Sequence, residues 1–340
     1  MPGFTNTSAR AQQWKAPRRA AAGALGLLGL GLVPGLRQAY SGRRAEAAEA
    51  SYALTVNPPA EIAAPTTPAH PAYTVYTPQT LVGAPPAPVT VLVLHGIGGN
   101  GPGMAASLLP VARAQGWTVV APTIPYGDWR DPAQLTREEL ALQPQMAGLL
   151  DAVPAETGVA LGQRVLIFGF SRGAQTALRF AMLYPDRVRA VAACSAGTYT
   201  LPTATIKTAS GGTMAAPLPF GVADMEQQVG HKLDAARFAA VRVLIGVGAN
   251  DNREGDVPRQ WDPFVGKTRV ERAERFAASL TEMGMPAKMV VVPATGHELT
   301  PPMVEQVTSF LTGAAAEQQA QQAAATTTEA ATLPLAGVRS

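Results

Sequence analysis

Ser171 sits in Gly169-Phe170-Ser171-Arg172-Gly173, and two groups that could activate it, Asp251 and His297, follow it along the chain. A serine hydroxyl scarcely ionises at neutral pH. It becomes a nucleophile when a base touches it and a third group orients that base. The chain has 4 histidines. His70 lies in a proline-rich stretch. His95 ends an apolar run just before a glycine turn and reads as a support for that turn. His231 lies in an irregular span and reads as surface. His297 lies in Pro293-Ala294-Thr295-Gly296-His297-Glu298, directly after the last apolar run, and is the expected base. Asp251 is the first carboxylate past Val241–Val247 and is the expected acid, with Glu254 and Asp256 in the same loop as alternatives. The preceding apolar run ends at Cys194 and is followed by Ser195-Ala196-Gly197, which offers no acid. An acyl-transfer oxyanion needs backbone donors. The sequence offers Ile97 in His95-Gly96-Ile97-Gly98 and Arg172 after the serine, with Gly98 as the alternative to Ile97. Tyr126, Trp129, Tyr199 and Trp261 are the candidate pocket residues, although each could equally be packing. Scattered histidines and a single cysteine, Cys194, make no metal cluster, so no metal and no cofactor is expected.

These residues need elements to hold them. Before the serine runs Arg164-Val165-Leu166-Ile167-Phe168, short, apolar and β-branched, which reads as a buried strand. After it runs Ala174 to Tyr184, rich in helix formers and stopped by Pro185. A G-x-S-x-G between strand and helix is the setting of a nucleophile elbow, where a glycine on each side lets the turn close. Strands are expected at 73–77, 89–94, 117–121, 188–194, 241–247 and 287–292. Helices are expected at 104–115, from Thr136 to about Val153, at 268–283 and at 302–311. Alternating strands and helices imply a doubly wound, mostly parallel sheet with helices on both faces. Residues 196–240 break that rhythm with Gly211-Gly212, Pro217 and Pro219, and read as a cap-like insertion.

The ends differ from the middle. Residues 1–50 hold seven Lys/Arg against two acids, whereas 51–313 hold 19 basic and 20 acidic residues. The pI of about 9.1 therefore reports the leader and is no argument for nucleic acid. Arg18-Arg19 precede an apolar run from Ala20 to Val33, too short for a comfortable membrane span but suited to an export signal. Ala45-Glu46-Ala47 and Ala48-Glu49-Ala50 offer cleavage sites. The expected mature chain is exported, by the twin-arginine route or another, and has no stable membrane span. Residues 51–71 read as a proline-rich lead-in, and 313–340 as a disordered, low-complexity tail.

The order Ser171, Asp251, His297, with His95-Gly96 upstream, resembles the α/β-hydrolase family over roughly residues 72–312. The resemblance implies the α/β-hydrolase fold and an acyl-enzyme on serine that water then releases. It implies carboxylic esters, small or polymeric, as substrates. A peptidase, thioesterase or acyltransferase would use the same three residues. A non-catalytic binding protein on this fold is the remaining reading, and it would usually have lost one of them.

Overall fold

The computed structural model describes residues 53–56, 70–78, 89–207, 211–285 and 287–332. The leader 1–50 and most of the lead-in lie outside them. The strands are β1 Ala53–Val56, β2 Tyr73–Tyr76, β3 Thr90–Leu94, β4 Thr118–Pro122, β5 Val165–Phe170, β6 Val188–Cys194, β7 Thr205–Lys207, β8 Thr213–Ala215, β9 Arg242–Gly248 and β10 Ala287–Val292. The helices are α1 Gly101–Ala106, α2 Leu109–Gln115, α3 Pro132–Thr157, α4 Arg172–Leu183, α5 Met225–Val229, α6 Ala235–Ala239, α7 Asp262–Val265, α8 Arg269–Glu282 and α9 Pro301–Thr332.

The main sheet runs β1-β2-β4-β3-β5-β6-β9-β10. From β4 to β10 neighbouring strands are parallel, while β1 and β2 pair antiparallel at one edge. Parallel strands covered on both faces are apolar throughout rather than alternating. In β3, Leu92 and Leu94 join the cluster under α3, α4 and α8, with Leu149, Phe180 and Phe276. Val91 and Val93 join the opposite cluster, with Ala105, Ala112, Met303 and Val307 from α1, α2 and α9. The chain leaves β3 toward β4 on one side and returns to β5 on the other. That reversal opens a crevice at the carboxyl ends of β3 and β5.

Local signals place some boundaries differently from the sequence reading. Helix α3 starts at Pro132, not at Thr136, because Asp131 caps it by accepting from the Ala133 and Gln134 N–H groups at 2.9 and 3.0 Å. The expected helix over 104–115 is two, α1 and α2. The expectation of a disordered tail is corrected over 313–332, where α9 continues, and its last residues, 333–340, lie outside the described residues. Alanine carries the highest helix propensity, Ala314 and Ala315 are buried against the sheet, and Glu317 pairs with Arg242 at 2.8 Å and Arg189 at 3.4 Å.

Residues 196–240, expected as a cap, carry the β7–β8 hairpin, α5 and α6. Tyr199, Leu201, Ile206, Ala216 and Phe238 of this span belong to the cluster under α4. Gly197 is its residue in the lining of the crevice. The lost rhythm reported short, irregular elements rather than a segment standing away from the core.

Candidate active site

Strand β5 delivers the chain to Ser171, which has φ 54° and ψ −116°. A non-glycine residue at positive φ is strained, and the surroundings must hold it there. The Ser171 N–H donates to the Cys194 carbonyl at 2.8 Å, and the Ser171 carbonyl accepts from Ala174 and Gln175 at 3.1 and 3.2 Å. The two motif glycines allow the close approach. A Cβ on Gly169 would lie 2.5 Å from the Gly173 carbonyl oxygen, and one on Gly173 would lie 2.0 Å from that of Leu94. Helix α4 starts at Arg172, so its N-terminal N–H groups and positive dipole end lie at the serine. Because the atom in the way is backbone, Gly173→Ala is expected to cost about 3 kcal/mol or more. Denaturant unfolding of the purified variant measures this.

His297 and Asp251 come from neighbouring strand exits. Strand β9 ends at Gly248, where a Cβ would sit 2.3 Å from the Thr295 carbonyl oxygen. That gap lets the two loops touch: the Asn250 N–H donates to the Thr295 carbonyl at 2.8 Å, and the Ala249 N–H to that of Val292 at 2.9 Å. His297 Nε2 is 3.0 Å from Ser171 Oγ. His297 Nδ1 is 2.8 Å from Asp251 Oδ2. The structure therefore brings Ser171, His297 and Asp251 into one chain of contacts. The Phe170 ring stacks on the imidazole at 5.1 Å. Asp251 is 4% exposed, and Arg269 Nη1 donates to its Oδ1 at 2.9 Å. Burial works against the charge of Asp251, but the His297 contact and the Arg269 guanidinium outweigh it and hold the carboxyl below the usual carboxylate value. The alternative acids are engaged elsewhere, Asp256 with Arg253 at 3.0 Å and Glu254 with Arg259 at 3.1 Å.

His95 has another role. Its Nε2 accepts from the Ile124 N–H at 2.9 Å, so Nδ1 carries the proton and donates to the Gly96 carbonyl at 2.7 Å. Burial pulls its pKa below the usual histidine value, against the opposing effect of the Gly96 bond. It braces the β3 exit turn against the β4 exit. His231 is exposed, and His70 contacts Glu156 at 3.1 Å. Ile97 and Arg172 line the crevice beside Ser171, and Ile97 is 47% exposed.

The crevice holds about 560 Å³, the size of a small-molecule site. Of the four aromatic candidates, Trp129 lines it. The other three are corrected. Trp261 and Tyr199 are buried in the core, joined by a bond from Trp261 Nε1 to the Tyr199 carbonyl at 3.0 Å. Tyr126 packs edge-on against His95 at 5.3 Å. Large aromatic surfaces gain most from full burial, and spacing in the sequence does not separate a core aromatic from a pocket aromatic.

Sequence reasoning missed the charged groups behind the site. Glu139 is 1% exposed and accepts from both Arg172 and Arg179, themselves nearly buried. Arg172 also pairs with Glu138 at 2.7 Å and donates to Gln175 Oε1 at 2.9 Å. Burial pulls Arg179 down to about 10 despite Glu139. The available signal was two arginines seven residues apart in an otherwise apolar helix, which require an internal counter-ion. Breaking a buried pair by removing one partner costs about 3–5 kcal/mol. Glu139→Ala should show a loss of that order in urea unfolding.

Among the described residues no helix is long and apolar enough to cross a membrane. No curated protein sequence matches the chain. Among solved structures, the LpqC poly(3-hydroxybutyrate) depolymerase of Bordetella parapertussis is 23% identical, over 74% of this chain and 87% of its own, with a TM-score of 0.52. Poly(aspartic acid) hydrolase-1 of Sphingomonas sp. KT-1 is 24% identical, over 70% and 92%, with a TM-score of 0.49. The family model of the alpha/beta hydrolases matches residues 91–309, well over half of the sequence. With that match and a mostly parallel sheet carrying helices on both faces, the chain belongs to the alpha/beta hydrolase family.

Proposed function

We propose that this protein is a serine hydrolase of carboxylic esters. The observation that carries the reading is the run of contacts from Ser171 Oγ to His297 Nε2 at 3.0 Å and from His297 Nδ1 to Asp251 Oδ2 at 2.8 Å. Ser171 Oγ attacks the ester carbonyl while His297 Nε2 takes its proton. The tetrahedral oxyanion is held by the Ile97 and Arg172 N–H groups. The C–O bond to the alcohol then breaks, and the imidazolium returns the proton to the leaving oxygen. Water repeats the sequence on the acyl-enzyme: His297 takes its proton, the acid departs and the serine is restored. Asp251 holds the imidazole with Nδ1 protonated and stabilises its cationic form.

A fluorophosphonate probe should label Ser171 and no other residue. A panel of p-nitrophenyl esters of increasing chain length, run beside peptide and thioester substrates, tests the bond type. Turnover of peptides or thioesters above all esters would replace the ester reading with one of those chemistries. Background rates throughout would sink the enzyme reading. We further propose export of the mature chain, supported by the cationic leader and its short apolar run. N-terminal sequencing of protein from its native host should find a start near Ser51, and an intact Met1 would overturn this.

A further inference from the structure

The charges of residues 51–313 nearly cancel, 19 basic against 20 acidic. The crevice wall does not share that balance. Arg130, Arg172, Arg253 and Arg269 line it, and Asp256 is the carboxylate among its lining residues. Asp128 on Arg130 at 3.9 Å, Glu138 and Glu139 on Arg172, and Asp251 on Arg269 at 2.9 Å stand outside the lining, while Asp256 on Arg253 at 3.0 Å stands within it. The wall therefore presents four guanidinium groups against one carboxylate, with the other acids outside it.

Two of these side chains are nearly buried and keep an unused donor. Arg269 is 7% exposed and Arg172 is 3% exposed, and the Nε of each has no hydrogen-bond partner. Buried polar groups are nearly always paired. Gln175, 5% exposed and also in the lining, gives its Oε1 to Arg172 and has no bond from its Nε2 among the described residues. Gly197 stands beside them: a Cβ there would lie 3.0 Å from Gln175 Nε2 and 3.8 Å from Arg269 Nε. At the mouth, Arg130 and Arg253 have side chains 72% and 79% exposed. Their ion pairs with Asp128 and Asp256 are of the exposed kind worth little, so either guanidinium can change partner.

Taking the serine-hydrolase reading as its basis, we infer that the substrate is an ester bearing a carboxylate on its acid or alcohol part, recognised by Arg130 and Arg253 at the mouth and by the Gln175–Arg269 wall inside. Guanidinium groups bind carboxylates through paired donors. A donor-lined, acceptor-poor wall selects such a group over a neutral chain of equal length.

The test compares matched pairs. Mono-4-nitrophenyl adipate is set against 4-nitrophenyl hexanoate for the acid side, and 4-acetoxybenzoate against 4-acetoxybenzamide for the alcohol side. Each rate is corrected for spontaneous hydrolysis and scaled to the ester's rate in alkali. In at least one pair the anion should show about tenfold higher kcat/KM at low salt, the effect of one charge-assisted hydrogen bond. Raising the salt should shrink that ratio by screening the mouth. The ratio should collapse toward one in the Arg130→Gln, Arg253→Gln double variant. A ratio at or below one in both pairs, or one unchanged in the double variant, overturns the inference while leaving ester hydrolysis intact. Calorimetry of Ser171→Ala with the monomethyl adipate anion and with neutral methyl hexanoate needs no turnover. Tighter binding of monomethyl adipate supports the anion site even where no ester is cleaved, and equal binding overturns it.

Discussion

Replacing Ser171 with alanine is expected to lower kcat on the best p-nitrophenyl ester by about 10⁵-fold or more, the scale seen when the nucleophile of such a catalytic unit is removed. The hydroxyl is the group in contact with His297 Nε2, at 3.0 Å. Without it the imidazole can activate water alone, which lacks the fixed position at the elbow. Protein stability should change little. Alanine and serine share the Cβ and the same strain at φ 54°, and the His297–Asp251 contact needs nothing from residue 171. Fluorophosphonate labelling should vanish with the activity. A Ser171→Ala protein that folds, melts like the wild type and still turns over esters at the original rate would falsify the role assigned to this residue.

The three residues in that chain of contacts could be read from the sequence because each follows an apolar run. In a parallel sheet every strand exit of one kind emerges at the same edge, so the exits of β5, β9 and β10 were bound to converge. The glycines of the elbow were legible for the same reason: the motif has a steric meaning, seen in the 2.0 Å separation between a Gly173 Cβ and the Leu94 oxygen. What was not legible depends on distant parts of the chain meeting. Arg269 follows the helix cap Thr268, and nothing near it announces that its guanidinium reaches Asp251, 18 residues earlier. Glu139 reads as one acid in a helix's charged stretch, yet it lies buried between two arginines of another helix. Trp261 and Trp129 have equal standing as pocket residues in the sequence, and packing alone sends one to the core and the other to the crevice. The tail was misread because alanine and glutamine show no apolar stripe, although a helix begun at Pro301 can continue through them at little cost.

Asp251→Asn is expected to lower kcat by about 10⁴-fold, and the reason lies in Arg269 as much as in the lost charge. Arg269 Nη1 donates to Oδ1 at 2.9 Å. Arginine offers no acceptor, so an asparagine here must keep its oxygen toward Arg269. Its NH₂ group then faces His297 Nδ1 in place of Oδ2. A donor facing Nδ1 forces the imidazole to carry its proton on Nε2, the nitrogen 3.0 Å from Ser171 Oγ. A protonated Nε2 cannot take the serine's proton, so the base is disabled by tautomer with the geometry intact. Asp256→Asn and Glu254→Gln should each stay within about threefold of wild type on a neutral ester, because their carboxylates pair with Arg253 and Arg259 instead. Stability gives an independent reading. The carboxyl of Asp251 is held below its unfolded value. Its charge therefore stabilises the fold at pH above the ordinary carboxylate value of about 3.9, and that contribution disappears as the pH falls through the depressed one. Asp251→Asn leaves the Arg269 charge without its counter-ion, so the variant should be the less stable protein at pH 7. The gap should hold from pH 7 down to near the ordinary carboxylate value of about 3.9 and narrow only below it, as the carboxyl takes up its proton and comes to resemble the amide. Urea unfolding of both proteins from pH 7 to pH 3 measures that gap. A constant gap would mean that the charge of Asp251 contributes nothing to the fold, and near-normal kcat in Asp251→Asn with loss in Asp256→Asn would move the acid to the outer part of the loop.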